Sequence, residues 1–412
     1  MVEIDVVLKT LVERNGSDLH LKVGRPPMFR VSGDLIPSEF PVVTRENMEQ
    51  ILRQLCGDKG FKKLEEHLEY DTAYALPGVA RFRVNALHQM QEKGAILRAI
   101  PFKIPAIDDM NLPPVLKDIV AQPQGLVLVT GPTGSGKSTT LASMVNHLNE
   151  TQPLHIITIE DPVEFVYSDK MSTMNQRQLG QDTGSLHHAL KSALRQDPDV
   201  ILMGEMRDRE TIEIAIHAAE TGHLVFSTLH TNDAKQSVDR VLDSFPGDMI
   251  GQIRQMLSLS LRAVLSQRLL KRADGAGRVA ALEILINSPN VRELIAAGKT
   301  ADIEKAMKTA GAYYRMQTFN QALAKLVHDN MVTEEEAMGT SSNPGDLRLL
   351  IKGIMQGGAT SSTEIKPKAP EASPAAGAAP PAASSAPAAL GSAPAAPAAD
   401  PNKPKIMKGF KL

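Results

Sequence analysis

The stretch GLVLVTGPTGSGKST, from Gly125 to Thr139, decides the fold of the central part of the chain. It begins with an apolar run typical of a buried strand and leads into a helix that continues through Met144 and Leu148. Glycines between the two allow backbone N–H groups and the helix amino terminus to face phosphate oxygens. The residues of this phosphate-binding loop are Gly131, Pro132, Thr133, Gly134, Ser135, Gly136, Lys137, Ser138 and Thr139.

The residue types in this loop predict a nucleoside triphosphate as the ligand. Lys137 is expected to reach the β- and γ-phosphates, and the hydroxyl of Ser138 is expected to bind Mg²⁺. The alternative is a chance glycine-rich turn, which the strand before the loop and the helix after it disfavour. The predicted cofactors are therefore ATP and Mg²⁺.

The sequence on either side of the loop repeats the same strand-helix alternation. Short apolar runs (LHIITIE, DVILMGEM, LVFSTLH and VAALEILI) are separated by helical stretches such as SLHHALKSALRQ. Strands that are apolar along their whole length are buried on both faces, as in a sheet flanked by helices. The expected fold class of this part is α/β.

Composition excludes several classes of protein. The 412 residues carry 45 Lys and Arg against 47 Asp and Glu, with 42% hydrophobic residues, so wholesale disorder is excluded and nucleic acid is not an expected partner. Cys56 is the single cysteine, so it has no partner within the chain for a disulfide, and a reducing cytoplasm is expected. The amino terminus has the spacing of an amphipathic helix and not of a signal peptide.

Shifts in composition and pattern predict five segments. Prolines mark a linker after a small mixed domain, and helical patterns follow the α/β core. An Ala/Pro-rich run predicts a disordered tail with a basic end, KPKIMKGFKL, which is either a docking peptide or a solubilising end. The predicted segments are an amino-terminal α+β domain (1–103), a linker (104–118), the α/β core (119–288), a helical subdomain (289–357) and the tail (358–412).

An acidic residue follows the strand VILM at an unusual position. Many P-loop enzymes place an Asp at such a strand end, but here Gly204 stands there and Glu205 comes next. Beside the phosphate loop, Glu205 is expected to act as the general base that activates water. The alternative is a solvated acid at a strand end.

A second acidic group ends another strand, in ITIEDPVEF. It contains Glu160, Asp161 and Glu164, and three carboxylates at one place predict a nearby cation. For Asp161 and Glu164, a helix cap or a pair with an Arg is the alternative.

Two histidines flank the strand in AETGHLVFSTLHTNDA. His230 follows the strand and is the stronger candidate for sensing the γ-phosphate, with His223 only slightly behind it. Strict alternation would place them on opposite faces of the strand. A structural role is the alternative for either, and neither is expected to ligate a metal.

Arginines on strands of the amino-terminal domain are candidates for phosphate recognition. Arg81 and Arg83 are two residues apart and share a face, and Arg98 lies on the next predicted strand. A guanidinium group binds phosphate oxygens in pairs and stabilises transition-state charge. A surface salt bridge is the alternative for each of the three.

Taken together, GPTGSGKST, ITIEDPVEF, RQDPDVILMGEMRDRET and AETGHLVFSTLHTNDA resemble the secretion ATPase superfamily. The segments SDLHL, RFRVN and MQTFNQAL resemble its pilus retraction branch, the PilT/PilU type, over about residues 1–357. The resemblance implies a PAS-like amino-terminal domain, a RecA-like ATPase domain and a homo-hexamer. It also implies a cytoplasmic location at the base of a type IV pilus, against an inner-membrane platform protein.

The resemblance also assigns roles and leaves alternatives. It places the Asp box at Glu160 to Glu164, the atypical Walker B acid at Glu205 and the His box at His223 and His230, and it brings the three arginines to the nucleotide. The stretch NVRELIAAGK (290–299) departs from the AIRN sequence of retraction motors, so an accessory paralogue of the PilU type is one alternative. A pilus assembly or secretion ATPase is another, and a non-hydrolysing nucleotide-binding scaffold is a third.

Overall fold

The computed structural model describes residues 2–31, 33–100 and 104–353. The predicted disordered tail, residues 358–412, lies outside the described residues. No helix within these ranges combines enough length with enough apolar character to span a bilayer.

The amino-terminal domain contains an antiparallel sheet of six strands with two helices packed on it. Its elements are α1 (Ile4–Glu13), β1 (Gly16–Lys22), β2 (Met28–Val31), β3 (Asp34–Pro37), α2 (Arg45–His67), β4 (Glu69–Leu76), β5 (Ala80–Gln89) and β6 (Glu92–Ile100). The strand order is β3-β2-β1-β6-β5-β4, so β5 and β6, which carry the predicted arginines, are neighbours. This is the small α+β domain that the sequence predicts.

Both helices follow from the sequence pattern. In α1 the apolar residues Ile4, Val7, Leu8 and Leu11 are buried, as their helical spacing predicts. The pattern predicts one helix from about Arg45 to Leu55 and a second near Phe61 to Leu68. The structure joins both stretches in α2, with a kink at Gly57, whose φ of 65° is non-helical.

The second domain is an α/β sheet with helices on both faces. Its elements are α3 (Val115–Val120), β7 (Gly125–Thr130), α4 (Lys137–Thr151), β8 (His155–Glu160), β9 (Thr173–Gln178), α5 (Leu186–Ala193), β10 (Val200–Met203), α6 (Arg209–Glu220), β11 (Leu224–Leu229), α7 (Ala234–Leu242), α8 (Ile250–Ser260), β12 (Leu261–Lys271) and β13 (Arg278–Ile286). The strand order is β13-β12-β7-β11-β10-β8-β9, parallel throughout except for the antiparallel pair of β12 and β13. The predicted α/β fold class is confirmed.

Burial explains why these strands are apolar along their length. Every residue of β7, β10 and β11 is buried. Alternate residues of β7 enter two different hydrophobic clusters: Leu126 and Leu128 pack on the side of α5 and α6, and Val127 and Val129 pack on the side of α4. Each face of the sheet is thus covered by helices, as expected for a parallel sheet.

Two strands of this sheet were not predicted from the sequence. The strand β9 has the polar sequence TMNQRQ and lies at the sheet edge, so it lacks an apolar pattern. The strand β12 follows directly on α8 without a Gly or Pro to separate them, and the chain changes conformation at Leu261. The predicted linker, 104–118, packs on the α/β domain through its apolar residues, since Ile107, Leu112 and Val115 are buried in the cluster around Val127, while polar residues such as Asp108 and Asp109 are exposed.

Helices complete the described part of the chain. They are α9 (Pro289–Ala296), a 3-10 turn (Thr300–Asp302), α10 (Ile303–Tyr314), α11 (Phe319–His328), α12 (Glu334–Thr340) and α13 (Pro344–Ile351). The helix α11 begins after Thr318, which forms a capping box with Gln321. The short helix α12 was not predicted separately, because its residues are mostly polar and its buried face is formed by Ala337, which gives no amphipathic pattern. The last three helices pack on β12 and β13 through a cluster that includes Leu270, Val279 and Phe319.

Candidate nucleotide-binding site

The phosphate-binding loop connects β7 to α4 and has the backbone shape that its glycines allow. Gly134 and Gly136 have φ angles of 77° and 87°, in the left-handed region that favours glycine. Gly136 is the residue before the first turn of α4, and no side chain caps that turn. The first N–H groups of α4 are therefore available to an anion in the cleft.

Gln267 on β12 supports this loop from behind, a role that the sequence did not reveal. Its Nε2 donates to the carbonyl oxygen of Ser135 at 2.8 Å, and its Oε1 accepts from the hydroxyl of Thr140 at 2.7 Å. A Cβ at Gly136 would lie 2.8 Å from Nε2 of Gln267, and a Cβ at Gly131 would lie 2.3 Å from its carbonyl oxygen. Both glycines thus let the loop approach β12 closely. The sequence feature that could have indicated this role is a polar residue, Gln267, within the largely apolar segment that forms β12.

Lys137 and Ser138 lie at the start of α4 and line the cleft. The ammonium group of Lys137 donates to the carbonyl oxygens of Gly131 and Pro132 at 2.9 and 3.0 Å. Burial lowers the pKa of Lys137, and the nearby carboxylate of Glu205 opposes that shift. The lysine is thus held beside the loop and within the electrostatic reach of Glu205.

Glu205 and His230 meet across the cleft from the loop. They follow β10 and β11, which are adjacent strands, and Nε2 of His230 lies 3.2 Å from Oε1 of Glu205. The other carboxylate oxygen, Oε2, accepts from Nε of Arg207 at 2.9 Å. The hydroxyl of Thr228 donates to the carbonyl oxygen of Gly204 at 2.7 Å and fixes the turn that carries Glu205. The structure therefore places the predicted general base and the predicted sensor in direct contact.

Glu160 ends β8 and is the most buried of the predicted acids, with 7% of its surface exposed. Its Oε1 accepts from the hydroxyl of Thr158 at 2.7 Å, and its Oε2 accepts from the backbone N–H of Glu164 at 3.3 Å. Burial raises the pKa of Glu160, and these hydrogen bonds oppose the shift. Asp161 and Glu164 also line the cleft, so all three acids are brought to one place as predicted.

The three arginines divide into two groups. Arg83 and Arg98 are direct cross-strand neighbours on β5 and β6, and both line the cleft. Nε of Arg98 also donates to Asp18 at 2.8 Å. Arg81 is outside the cleft lining, and its Nη2 donates to Oε1 of Gln178 on β9 at 3.3 Å. Two like charges directly opposite each other repel, and in this pair the carboxylate of Asp18 already offsets the charge of Arg98.

His223 is a predicted site residue that lies outside the cleft lining. It precedes β11, whereas His230 follows β11, so the two histidines are at opposite ends of a strand about 20 Å long. Nδ1 of His223 lies 2.9 Å from the carbonyl oxygen of Ala218 at the end of α6. Within one chain His223 therefore lies outside the cleft lining, at the other end of β11 from His230, and its action at a nucleotide stays a prediction.

Together these residues enclose a cleft of about 620 Å³ between the amino-terminal domain and the α/β domain. Its lining combines the phosphate-binding loop, the acids after β8, Glu205, His230, Arg83 and Arg98. A helix amino terminus, a lysine and two arginines provide the positive charge that phosphate groups require. The fold and the cleft define a P-loop nucleotide-binding protein with a RecA-like core.

Comparisons with known proteins agree with this class. Residues 78–366 match the sequence model of the family described as "Type II/IV secretion system protein". The chain is 47% identical over 343 residues to the type IV pilus retraction ATPase PilT of Pseudomonas aeruginosa, covering 83% of this chain and 99% of that protein. It is 39% identical over 351 residues to the type IV pilus ATPase PilU of the same organism, covering 85% and 92%.

A crystal structure of the pilus retraction motor PilT with bound ADP superposes with a TM-score of 0.79 at 43% identity, covering 84% of this chain and 99% of that one. The chain belongs to the type II/IV secretion system protein family and, within it, to the ATPases of the PilT type.

Proposed function

We propose that the chain hydrolyses ATP to ADP and phosphate with Mg²⁺, and that it works as a homo-hexameric motor for the retraction of type IV pili. The observation that carries the chemical part is the pairing of Glu205 with His230, in the same cleft as Lys137 and Ser138. A carboxylate positioned by two neighbours, facing a phosphate-binding loop, is the arrangement that water activation requires.

Each residue has a defined task in this proposal. The loop amides and Lys137 bind the β- and γ-phosphates, and Ser138 holds Mg²⁺, which neutralises phosphate charge when bound. Glu205 accepts the proton of the attacking water, while His230 and Arg207 fix the orientation of its carboxylate. Arg83 and Arg98 stabilise the charge that develops on the transferring phosphoryl group, in their own subunit or in a neighbour. Asp161 and Glu164, with Glu160 behind them, offset the charge of the cation.

The mechanical part is supported by the likeness to the pilus retraction motor PilT. Changes at the cleft would alter how the amino-terminal domain packs on the α/β domain, because the cleft is lined by both. In this proposal the ring works on the cytoplasmic side of the inner membrane, against a platform protein at the pilus base.

A second candidate is an accessory motor of the PilU type, which would act beside a paralogous retraction ATPase. The stretch 290–299 favours it, because this stretch lacks the AIRN sequence of retraction motors, although the identity to PilU is 39% against 47% to PilT. The same hydrolytic chemistry serves both candidates. They differ in whether this chain alone supplies the retraction force.

The chemical proposal is tested by steady-state phosphate release from the purified protein with Mg²⁺, comparing wild type with Lys137→Ala. Wild type should release phosphate, and the variant should lose turnover while keeping its fold by circular dichroism. Equal turnover in the variant would contradict the site. A wild-type protein that binds ATP and never releases phosphate would favour the scaffold alternative.

The cellular proposal is tested by deleting the gene and counting surface pili. Abundant pili that no longer retract are expected for a retraction motor, because assembly continues without disassembly. Cells without pili would show an assembly motor instead and contradict the proposal. Complementation by wild type, but not by Lys137→Ala, is the matched control.

A further inference from the structure

Glu283, in the middle of β13, joins the amino termini of two helices. Its side chain is buried, with the residue 7% exposed, and each of its oxygens accepts a backbone hydrogen bond from a different helix. Oε1 accepts from the N–H of Ala234 at 2.8 Å, and Oε2 accepts from the N–H of Phe319 at 3.3 Å. Ala234 is the first residue of α7, and Phe319 is the first residue of α11.

Neither helix needs Glu283 in order to begin. The side chain of Asp233 already caps α7 by accepting from the N–H of Gln236 at 2.7 Å. Thr318 and Gln321 already cap α11 in a capping box. The distinct contribution of Glu283 is therefore to connect the first turn of α7 and the first turn of α11 through hydrogen bonds to one carboxylate.

The amino terminus of α7 is connected to the nucleotide cleft. It follows the loop 230–233, which begins with His230 in contact with Glu205. The hydroxyls of Thr231 and Ser237 lie 2.6 Å apart, and Ser237 donates to the carbonyl oxygen of Asp233 at 2.7 Å. The hydroxyl of Ser237 also lies 3.4 Å from that of Thr130, the residue before the phosphate-binding loop. A displacement of this loop therefore reaches the first turn of α7 through contacts that are already formed.

The amino terminus of α11 is fixed equally firmly to β13. Gln317 exchanges two backbone hydrogen bonds with Ile284, at 2.9 and 3.1 Å, and its Nε2 donates to the carbonyl oxygen of Leu282 at 2.8 Å. The helix α11 then carries the hydrophobic cluster that packs the last helices on the sheet. Movement at the Glu283 end of α11 is thus passed to that group of helices.

A carboxylate is a costly choice at this position. Burial raises the pKa of Glu283 to about 7, with further upward contributions from Asp233 and Glu304, against the two backbone hydrogen bonds. An apolar side chain would avoid the cost of removing a carboxylate from water. Unlike an apolar side chain, a carboxylate has two acceptor oxygens, so it can accept hydrogen bonds from two helices at once.

We propose that Glu283 is a positioning residue that couples the His230 loop to α11, so that nucleotide in the cleft changes the order of the last helices. This inference rests on the proposed function for its biological meaning, because a motor must pass events at the nucleotide to distant elements. The coupling itself requires ATP binding and does not require hydrolysis.

The test is hydrogen exchange by mass spectrometry on the full chain, with and without a non-hydrolysable ATP analogue and Mg²⁺. In wild type, the analogue should slow exchange at the first turns of both α7 and α11. In Glu283→Gln, the amide NH₂ faces one of the two N–H donors, so one bond is lost. We expect the response of α11 to disappear while the response of α4 stays, with kcat lowered about tenfold and KM for ATP little changed.

A second variant removes the bond from the other side. Ala234→Pro deletes the N–H that Oε1 accepts and leaves Glu283 intact, and proline is favoured at the first position of a helix. It should abolish the α11 response in the same way, and it provides the test should Glu283→Gln fail to fold. An α11 response that persists in a folded variant of either kind would overturn the proposal, as would its absence in wild type.

Thr318→Ala is the matched control, because it removes the cap of α11 and leaves both bonds of Glu283 in place. It should raise the exchange of α11 uniformly and preserve the response to the analogue. Loss of the response in this variant would show that loosening α11 is sufficient, and would overturn a specific role for Glu283. Phosphate release by wild type is measured separately, so a failure of the ATPase proposal is distinguished from a failure of the coupling.

Discussion

Nε2 of His230 lies 3.2 Å from Oε1 of Glu205, although the two residues follow different strands. The contact exists because β10 and β11 are adjacent and parallel, so both strands end at the edge of the sheet that carries the phosphate-binding loop. Glu205 thereby has one oxygen at His230, the other at Arg207, and a fixed orientation toward the cleft.

Replacing Glu205 by Gln should abolish most hydrolysis without preventing nucleotide binding. The amide keeps the size of the side chain but does not accept a proton, so kcat should fall by about 100-fold or more. Phosphate release gives kcat, and fluorescence titration with a labelled nucleotide gives the affinity. Hydrolysis at the wild-type rate would remove Glu205 from the role of general base.

The two histidines offer a matched pair of substitutions. His230→Gln should lower kcat about tenfold or more, because Glu205 loses one of the groups that orient its carboxylate. His223→Gln should leave hydrolysis near the wild-type value, since His223 lies at the opposite end of β11. Equal losses in the two variants of the assembled protein would show that His223 reaches a nucleotide held by another subunit.

The arginines should also separate by position. Arg83→Ala should lower kcat by about tenfold or more, because Arg83 lines the cleft as one of a cross-strand pair of positive charges. Arg81→Ala should have a small effect on kcat, since its guanidinium group bonds Gln178 outside the cleft lining. Steady-state kinetics on both variants makes the comparison, and a larger loss for Arg81→Ala would contradict this placement.

Two glycines of the phosphate-binding loop should differ in their tolerance of alanine. Both have positive φ, which costs a residue with a Cβ about 1–2 kcal/mol. A Cβ at Gly134 meets no atom within 4 Å, whereas a Cβ at Gly136 meets Nε2 of Gln267 at 2.8 Å. Gly136→Ala should therefore lower the thermal midpoint of the nucleotide-free protein more than Gly134→Ala does.

A further substitution isolates the cause of that difference. In a Gln267→Ala background the collision at Gly136 is removed, so the midpoints of the two glycine variants should converge. An unchanged difference in that background would show that Gln267 does not set the requirement for glycine.

Glu283 should make stability depend on pH. Its folded pKa of about 7 lies above the usual value of 4.5, so the folded protein keeps a proton that the unfolded chain releases. The contribution of Glu283 to the free energy of unfolding is complete below about pH 4.5 and is lost as the pH rises through 7, by roughly 3 kcal/mol in all. Thermal midpoints of wild type and Glu283→Gln between pH 5 and 8 measure the effect, since other groups cancel in the difference. Parallel curves would contradict it.

Strands and helices were predicted correctly where the apolar pattern of the segment itself favours that structure. The buried strands β7, β8, β10 and β11 are mostly apolar, and the amphipathic α1 has a regular spacing. Prediction failed for the polar edge strand β9 and for β12, which continues from α8 without a break. In both cases the partner strands, and not the local residues, stabilise the extended conformation.

The sequence by itself determined the phosphate-binding loop and the α/β class, because the glycines, the lysine and the flanking strand and helix are contiguous. The tertiary structure alone decided which distant side chains join that loop. It brought Glu205 to His230, placed Gln267 behind the glycines, left His223 at the opposite end of β11 and set Glu283 between the first turns of α7 and α11. The physical reason is that strand order and register are set by packing over the whole domain, and no local pattern in one segment specifies them.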